Sequence, residues 1–280
     1  MPLLHVVTDL ETRSDPSVPF DARVLKMRGW DPEYQTGFEI YDAKPFPPPP
    51  CHQIVCIGRA VFEDYVPKSL KVVGSIDKEE SEEDQLKSFL AYVERKSPTL
   101  VTWNGRGFDI PVLMTRAMKY GFPCPGWYSS RSTRYRYSDQ GHFDVADFLS
   151  DFGATRTSQM GHVAAMLGMP GKLGTDGGDV EKMAAEGRIR EIKQYCLSDV
   201  LQEAIIWLRL EVLRGNLELP IYQDSVHKLR ELVQTDPEAS LPEAFVMAFD
   251  WDAVLLMRKE EPEAKPNSPE DLGFAKKAKR

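Results

Sequence analysis

The sequence predicts an α/β domain over residues 1–215, and two observations predict it. Short, apolar, β-branched runs recur along this stretch, and amphipathic helical patterns are interleaved with them. Residues 3–9 (LLHVVTD) form the first such run and read as a buried strand. Residues 15–50 have no clear period and end in KPFPPPP, a long excursion whose last residues, 45–50, are held extended by proline. Strand patterns return at 53–62 (QIVCIGRAVF) and 70–76 (LKVVGSI). Residues 79–95 read as a helix: Ser81 or Asp77 can cap it, acids crowd the first turn, and Leu86, Phe89, Leu90 and Val93 share one face. A strand at 99–104 (TLVTWN) leads into a helix at 110–121 closed by Gly121.

Two short helices are expected at 158–168 and 179–187, separated by a glycine-rich segment, followed by a long helix from about 188 to 213 that stops before Gly215. Residues 216–258 carry two more amphipathic stretches, 224–234 and 241–257, and read as a C-terminal helical extension. Residues 259–280 are charged, proline-containing and poor in apolar residues, the composition of a disordered tail.

Composition narrows the function classes. The 280 residues are 42% hydrophobic and 28% charged, ordinary for a globular chain. No apolar run reaches the roughly 18 residues a membrane span needs. The N-terminus lacks the basic region and long apolar core of a signal peptide, so a cytoplasmic protein without a membrane partner is expected. Cys51, Cys56, Cys124 and Cys196 form no CxxC pair, which points to buried free thiols rather than a zinc site or disulfides. A net charge of −8 argues against a protein that coats nucleic acid through a basic surface. It is compatible with a nuclease, because the ligands of phosphate-binding metal ions are themselves acidic.

Three motifs carry chemistry. Asp9 and Glu11 alternate on a strand and face the same side, where two carboxylates repel unless a cation sits between them. Asn104 to Pro111 (NGRGFDIP) is a strand-to-helix turn in which Asp109 either caps the helix or faces a ligand; its glycines allow close backbone approach. Tyr195 and Asp199 lie one helical turn apart on one face. Each motif alone is also what a solvated strand end, a helix cap or a surface pair looks like.

The three in order, DxE, N-x3-FD and YxxxD, resemble the DEDD exonucleases. The likeness is to the tyrosine-containing subgroup that includes the proofreading domain of family B DNA polymerases. The histidine-containing subgroup would place histidine five residues before the last aspartate, where this chain has Gln194. The segments PPPPCHQIVCIG, HFDVADFLSDFGA, LGMPGKLGTDGGDV and YCLSDVLQEAIIWLRLEVLRG also look like the predicted bacterial 3′→5′ exonucleases related to that domain, over roughly residues 1–235. The resemblance implies a ribonuclease H-like fold, a mixed central sheet flanked by helices, with the carboxylates gathered at one end of its central strands. It implies two divalent cations, Mg²⁺ or Mn²⁺, held by Asp9, Glu11, Asp109 and Asp199, with Asp9 shared between them and Tyr195 orienting the attacking water.

The implied substrate is the 3′ end of single-stranded DNA or RNA. Leu10, Thr12, Asn104 and Phe108 match family positions near the terminal nucleotide. From the residues themselves, Arg131 belongs to a segment mixing arginines with Tyr128, Tyr135 and Tyr137, suited to a single strand or simply an exposed loop. Lys172, in PGKLG, is suited to meet a phosphate or simply belongs to a flexible surface loop. Asp144 and Asp147 fall near the carboxylate set, with Asp144 read as a support of the sheet; His52 and His142 read as packing residues. Too few residues follow position 215 for a polymerase, so a stand-alone exonuclease is expected. The same chemistry on short oligonucleotides or RNA ends, and a non-catalytic nucleic-acid-binding protein on this fold, are the alternatives. DNA against RNA and the oligomeric state are left open by the sequence.

Overall fold

The computed structural model describes residues 2–18, 47–172 and 179–256. Strand β1 (Leu4–Ser14) is followed, across a 3-10 turn at Pro49–Cys51, by β2 (His52–Glu63) and β3 (Val66–Val72). Helix α1 (Glu82–Lys96), strand β4 (Thr99–Thr102) and helix α2 (Asp109–Tyr120) come next. Two short helices, α3 (Pro125–Ser129) and α4 (Arg131–Arg134), precede β5 (His142–Asp144) and α5 (Val145–Leu149). Then come α6 (Met160–Met166), α7 (Asp179–Ala185) and the long α8 (Ile189–Leu213). The described chain ends with α9 (Leu219–Thr235), α10 (Glu243–Ala248) and α11 (Trp251–Val254).

The five strands form one mixed sheet in the order β3-β2-β1-β4-β5. β1 runs antiparallel to β2 and parallel to β4, and β4 parallel to β5. Helices cover both faces, as the sequence predicts. Alternation along β1 assigns its residues. Val6 and Leu10 join Ile57, Leu86, Phe89 and Leu113 under α1 and α2, whereas Val7 joins Val101, Leu197, Val200 and Ala204 under α8. Asp9 and Glu11 share the parity of Val7 and therefore face α8.

Helix ends follow the expected chemistry. The Ser81 side chain caps α1 by accepting from the Asp84 N–H at 3.1 Å, and Gly121 closes α2 at φ 71°. Three expectations shift. The third strand begins earlier and stops at Val72, leaving residues 73–76 in a turn. Residues 49–51 of the proline run form a 3-10 turn, which proline's fixed φ accommodates. The stretch at 241–257 is two short helices, because the Asp250 side chain accepts from the N–H groups of Asp252 and Ala253 and starts a new one. These helices and α9 pack into the α8-side core through Tyr222, Leu229, Phe245, Phe249 and Val254. The predicted tail at 259–280 and most of the excursion at 15–50 lie outside the described residues. Among the described residues no helix is long and apolar enough to cross a membrane.

A buried ion cluster ties the start of the excursion to the helices. Arg116, 2% exposed, donates to Asp15 and Glu82 at 2.5 Å each, and Tyr120 donates to Glu82 at 2.7 Å. Removing the arginine strands two buried carboxylates, so Arg116→Ala is expected to destabilise the fold by about 3–5 kcal/mol. Urea denaturation measures this; a change within the roughly ±0.5 kcal/mol typical of surface positions would contradict it.

Candidate active site

The site begins where α8 lies down on β1 and β2. Asp9 pairs with Gly58 across the ladder and Glu11 with Cys56. A Cβ at position 58 would stand 2.7 Å from Cys196 Sγ and 2.9 Å from Val200 Cγ2. Glycine at 58 thus permits the helix to approach the strand closely enough for its side chains to meet those of β1. Cys196 Sγ lies 3.6 Å from the Asp9 carbonyl oxygen and 3.8 Å from Asp9 Oδ2. Ligand atoms of Asp9, Glu11 and Cys196 all fall within 4.8 Å of one another. Either side of Cys196 in this turn, Tyr195 and Asp199 are buried, and the phenol stands near enough to the carboxylate to act on it.

Asp109 arrives from the other side. After β4, Asn104 takes φ 59°, and Gly105 packs so tightly on Thr102 that a Cβ there would collide with its Oγ1. Asp144 braces the turn: its carboxylate accepts from the backbone N–H groups of Asn104 and Arg106 at 2.9 Å each, and of Asp147 at 3.1 Å. Asp144 thus supports this turn and caps the helix after β5, where the sequence suggests a support of the sheet. Helix α2 is entered through Phe108, so Asp109 is its first helical residue rather than its cap. The Leu10 N–H acts on the Asp109 carboxylate and on that of Asp9 alike, which puts the two acids near one another. Asp109 Oδ1 is buried with no hydrogen-bond partner.

These acids perturb one another. Burial first, then Asp109 and Asp199, push the Asp9 carboxyl well above its ordinary range. Glu11 rises likewise through burial and Asp9. Burial lifts Asp109 to about 7 and Asp199 to about 6; for Asp199, Lys172 and the Tyr195 hydroxyl act in the opposite direction. Tyr195 is pushed up by burial and by Asp199, and so stays a proton donor. Carboxylates crowded in this way ionise together only with cations among them. The donor set suits a divalent cation: hard oxygens, one of them buried and unpartnered. Cys196 is the exception, a softer donor at the rim of the set.

Family comparison agrees with the geometry. A family model described as a predicted 3′-5′ exonuclease related to the exonuclease domain of PolB matches residues 44–249. The chain belongs to this exonuclease family. The matched span holds Asp109, Tyr195 and Asp199, while Asp9 and Glu11 precede it and join the others through the fold. A family B DNA polymerase from the hyperthermophilic archaeon Pyrobaculum calidifontis is similar over 83% of this chain at 14% identity, with a TM-score of 0.49. The chain spans 30% of that polymerase's length. No curated protein matches the chain.

In this member of the exonuclease family Asp9 and Asp199 open on a cleft of about 580 Å³, lined also by Trp103, Met160, His162 and Lys172 among others. Lys172 is held there by its neighbour: the Gly171 N–H donates to the buried Gln202 Oε1 at 2.8 Å, and Gly171 packs on the Gly161 carbonyl. Lys172 Nζ stands 6.0 Å from the centre of the Tyr195 ring. Of the other proposed substrate contacts, Thr12 Oγ1 is 2.9 Å from His52 Nδ1, and the His52 ring meets the Phe108 ring edge-on at 4.9 Å. Asn104 is exposed in its turn, and the Leu10 side chain is buried on the opposite face. Arg131 lies on α4, exposed, next to the start of β5 and away from the residues lining the cleft. In the same segment Arg136 is paired with Asp147.

Sequence reasoning missed Cys196, Trp103, His162 and Glu203 as neighbours of the site. Glu203 had a readable signal: it follows Asp199 by four residues on a helix. Trp103 and His162 carry no spacing signal, because only the fold brings their segments to the cleft.

Proposed function

We propose that the protein is a metal-dependent 3′→5′ exonuclease that removes mononucleotides from the 3′ end of single-stranded nucleic acid. The observation that carries this reading is the gathering of acids around Asp9: Glu11 within ligand distance of it, Asp109 and Asp199 near enough to act on its charge, an unpartnered buried oxygen on Asp109, and an open cleft lined by Asp9 and Asp199. These four residues would hold two divalent cations. Such cations supply a lowered water pKa and positive charge for the entering and leaving oxygens of a phosphodiester.

The chain's own groups do the rest. Tyr195, protonated and near Asp199, directs its hydroxyl at the attacking water. Lys172 meets a non-bridging phosphate oxygen. Trp103 offers an aromatic face to a terminal base, a contact worth about 1–3 kcal/mol in single-strand binding. Water attacks phosphorus, the bond to the 3′-oxygen of the penultimate nucleotide breaks, and a nucleoside 5′-monophosphate leaves.

The test is a 5′-labelled oligonucleotide incubated with Mn²⁺, with Mg²⁺ and with chelator. A ladder shortening from the 3′ end is expected with either cation and none with chelator. Cleavage confined to very short oligomers would move the substrate to oligonucleotide remnants. Binding without cleavage would leave a nucleic-acid-binding protein on an exonuclease fold. In the same assay Tyr195→Phe is expected to reduce the rate about 10- to 100-fold, the range for a group that orients a reactant beside a metal. A wild-type rate in this variant removes Tyr195 from the mechanism.

A further inference from the structure

Helix α8 carries one more acid toward the site than the proposed mechanism uses. Glu203 follows Asp199 by one helical turn on the same face and is 1% exposed. The charges that act on it are the four carboxylates of Asp9, Asp109, Asp144 and Asp199. Its Oε1 is enclosed and has no hydrogen-bond partner. The side chain before it differs: the buried Gln202 Oε1 accepts from the Gly171 N–H.

Such a residue does not serve stability. A carboxylate enclosed among like charges, with an unmet acceptor, is destabilising relative to an apolar or amide side chain. The flanking buried positions of α8, Leu201, Ala204 and Ile205, are apolar. What would satisfy the extra charge and acceptor together is a hydrated cation in the same cluster. We propose that Glu203 is a positioning residue of the cation centre, its buried carboxylate accepting a hydrogen bond from the water shell of a cation that the acidic cluster would hold and so tightening that cation. The proposal rests on the metal-dependent reading above.

The experiment is Mn²⁺ titration of the whole protein, followed by calorimetry and by the electron paramagnetic resonance of free Mn²⁺, without substrate. Wild type, Glu203→Gln, Glu203→Asp and Asp9→Ala are compared, and thermal unfolding of each is recorded in chelator. Glu203→Gln is expected to weaken the tighter Mn²⁺ binding about 10- to 100-fold, as outer-shell partners of a metal do. It is expected to unfold in chelator at the wild-type temperature or higher, and Glu203→Asp, which keeps the charge, to recover part of the affinity. Wild-type Mn²⁺ affinity in Glu203→Gln overturns the proposal, whatever its stability. If that variant does not fold, wild-type affinity in a folded Glu203→Asp overturns it, because the shortened side chain withdraws the acceptor. Asp9→Ala separates the two levels. Wild-type Mn²⁺ affinity in Asp9→Ala defeats the cation reading itself, whereas loss there with no change at Glu203 defeats only the role given to Glu203.

Discussion

Asp9→Ala, Asp109→Ala and Asp199→Ala are each expected to lower 3′→5′ degradation by at least about 10³-fold, equivalent to roughly 4 kcal/mol of lost transition-state stabilisation. The expectation follows from how little the site duplicates. Asp9 lies between the other acids: Asp109 and Asp199 both act on it, and its Oδ2 is within reach of Cys196 on α8. Asp109 has one buried oxygen without a partner, so no other side chain is in place to satisfy what that oxygen would hold. Asp199 stands between the phenol of Tyr195 and Asp9, and its loss removes a proposed ligand and the acid that acts on the phenol at once. Single-turnover degradation of a labelled oligonucleotide at saturating Mn²⁺ measures the effect. A single substitution that leaves the rate within tenfold of wild type would mean the centre lies elsewhere. The three variants should remain folded, since each removes a repelling charge.

The parts of this site that were legible in the sequence obey short-range rules. Period two places Asp9 and Glu11 on one face of β1, and four-residue spacing places Tyr195 and Asp199 on one face of α8. The glycines around position 105 marked a tight turn before Asp109. What could not be read lies in distance relations. At Asp109 the cap reading falls to Phe108, which takes the N-cap position, and the neighbours of the Asp109 carboxylate, Leu10 and Asp144, lie on other elements. Gly58 looked like an interior strand glycine, and its reason is the approach of Cys196 and Val200. β5 and the helices around it are three to five residues long, too short for any period to register. The break of the C-terminal stretch at Asp250 is a capping event inside an otherwise continuous apolar pattern.

Without cations, the buried acids are expected to contribute a loss of stability as pH rises from about 4 to about 7, opposed by the buried histidines His142, His5 and His52, whose burial holds them neutral in the fold and whose contribution grows with pH. Asp109 titrates in the fold at about 7 and Asp199 at about 6, both above the roughly 3.9 of an unfolded aspartate. In that window the native state holds protons the unfolded chain has released, so the contribution of these acids falls with increasing pH. The contribution is fully present below the unfolded value and is gone once pH has passed the folded one. A tenfold difference in proton affinity between folded and unfolded chain corresponds to about 1.4 kcal/mol, so the two groups together amount to a few kcal/mol, on the order of a small domain's margin. Asp9 and Glu11, raised for the same reason, act in the same direction. Added Mn²⁺ should reverse the trend, because cations bind the ionised acids and displace their protons. Urea denaturation in chelator at pH 5 and 7.5, repeated with Mn²⁺, measures both halves, and Asp109→Asn should remove that group's share of the loss from the chelator curve. Because the histidines are common to both proteins, chelator curves for wild type and Asp109→Asn that run parallel across this interval would show that the carboxylates are already ionised and separately satisfied, and the physical case for a cation among them would fail with it.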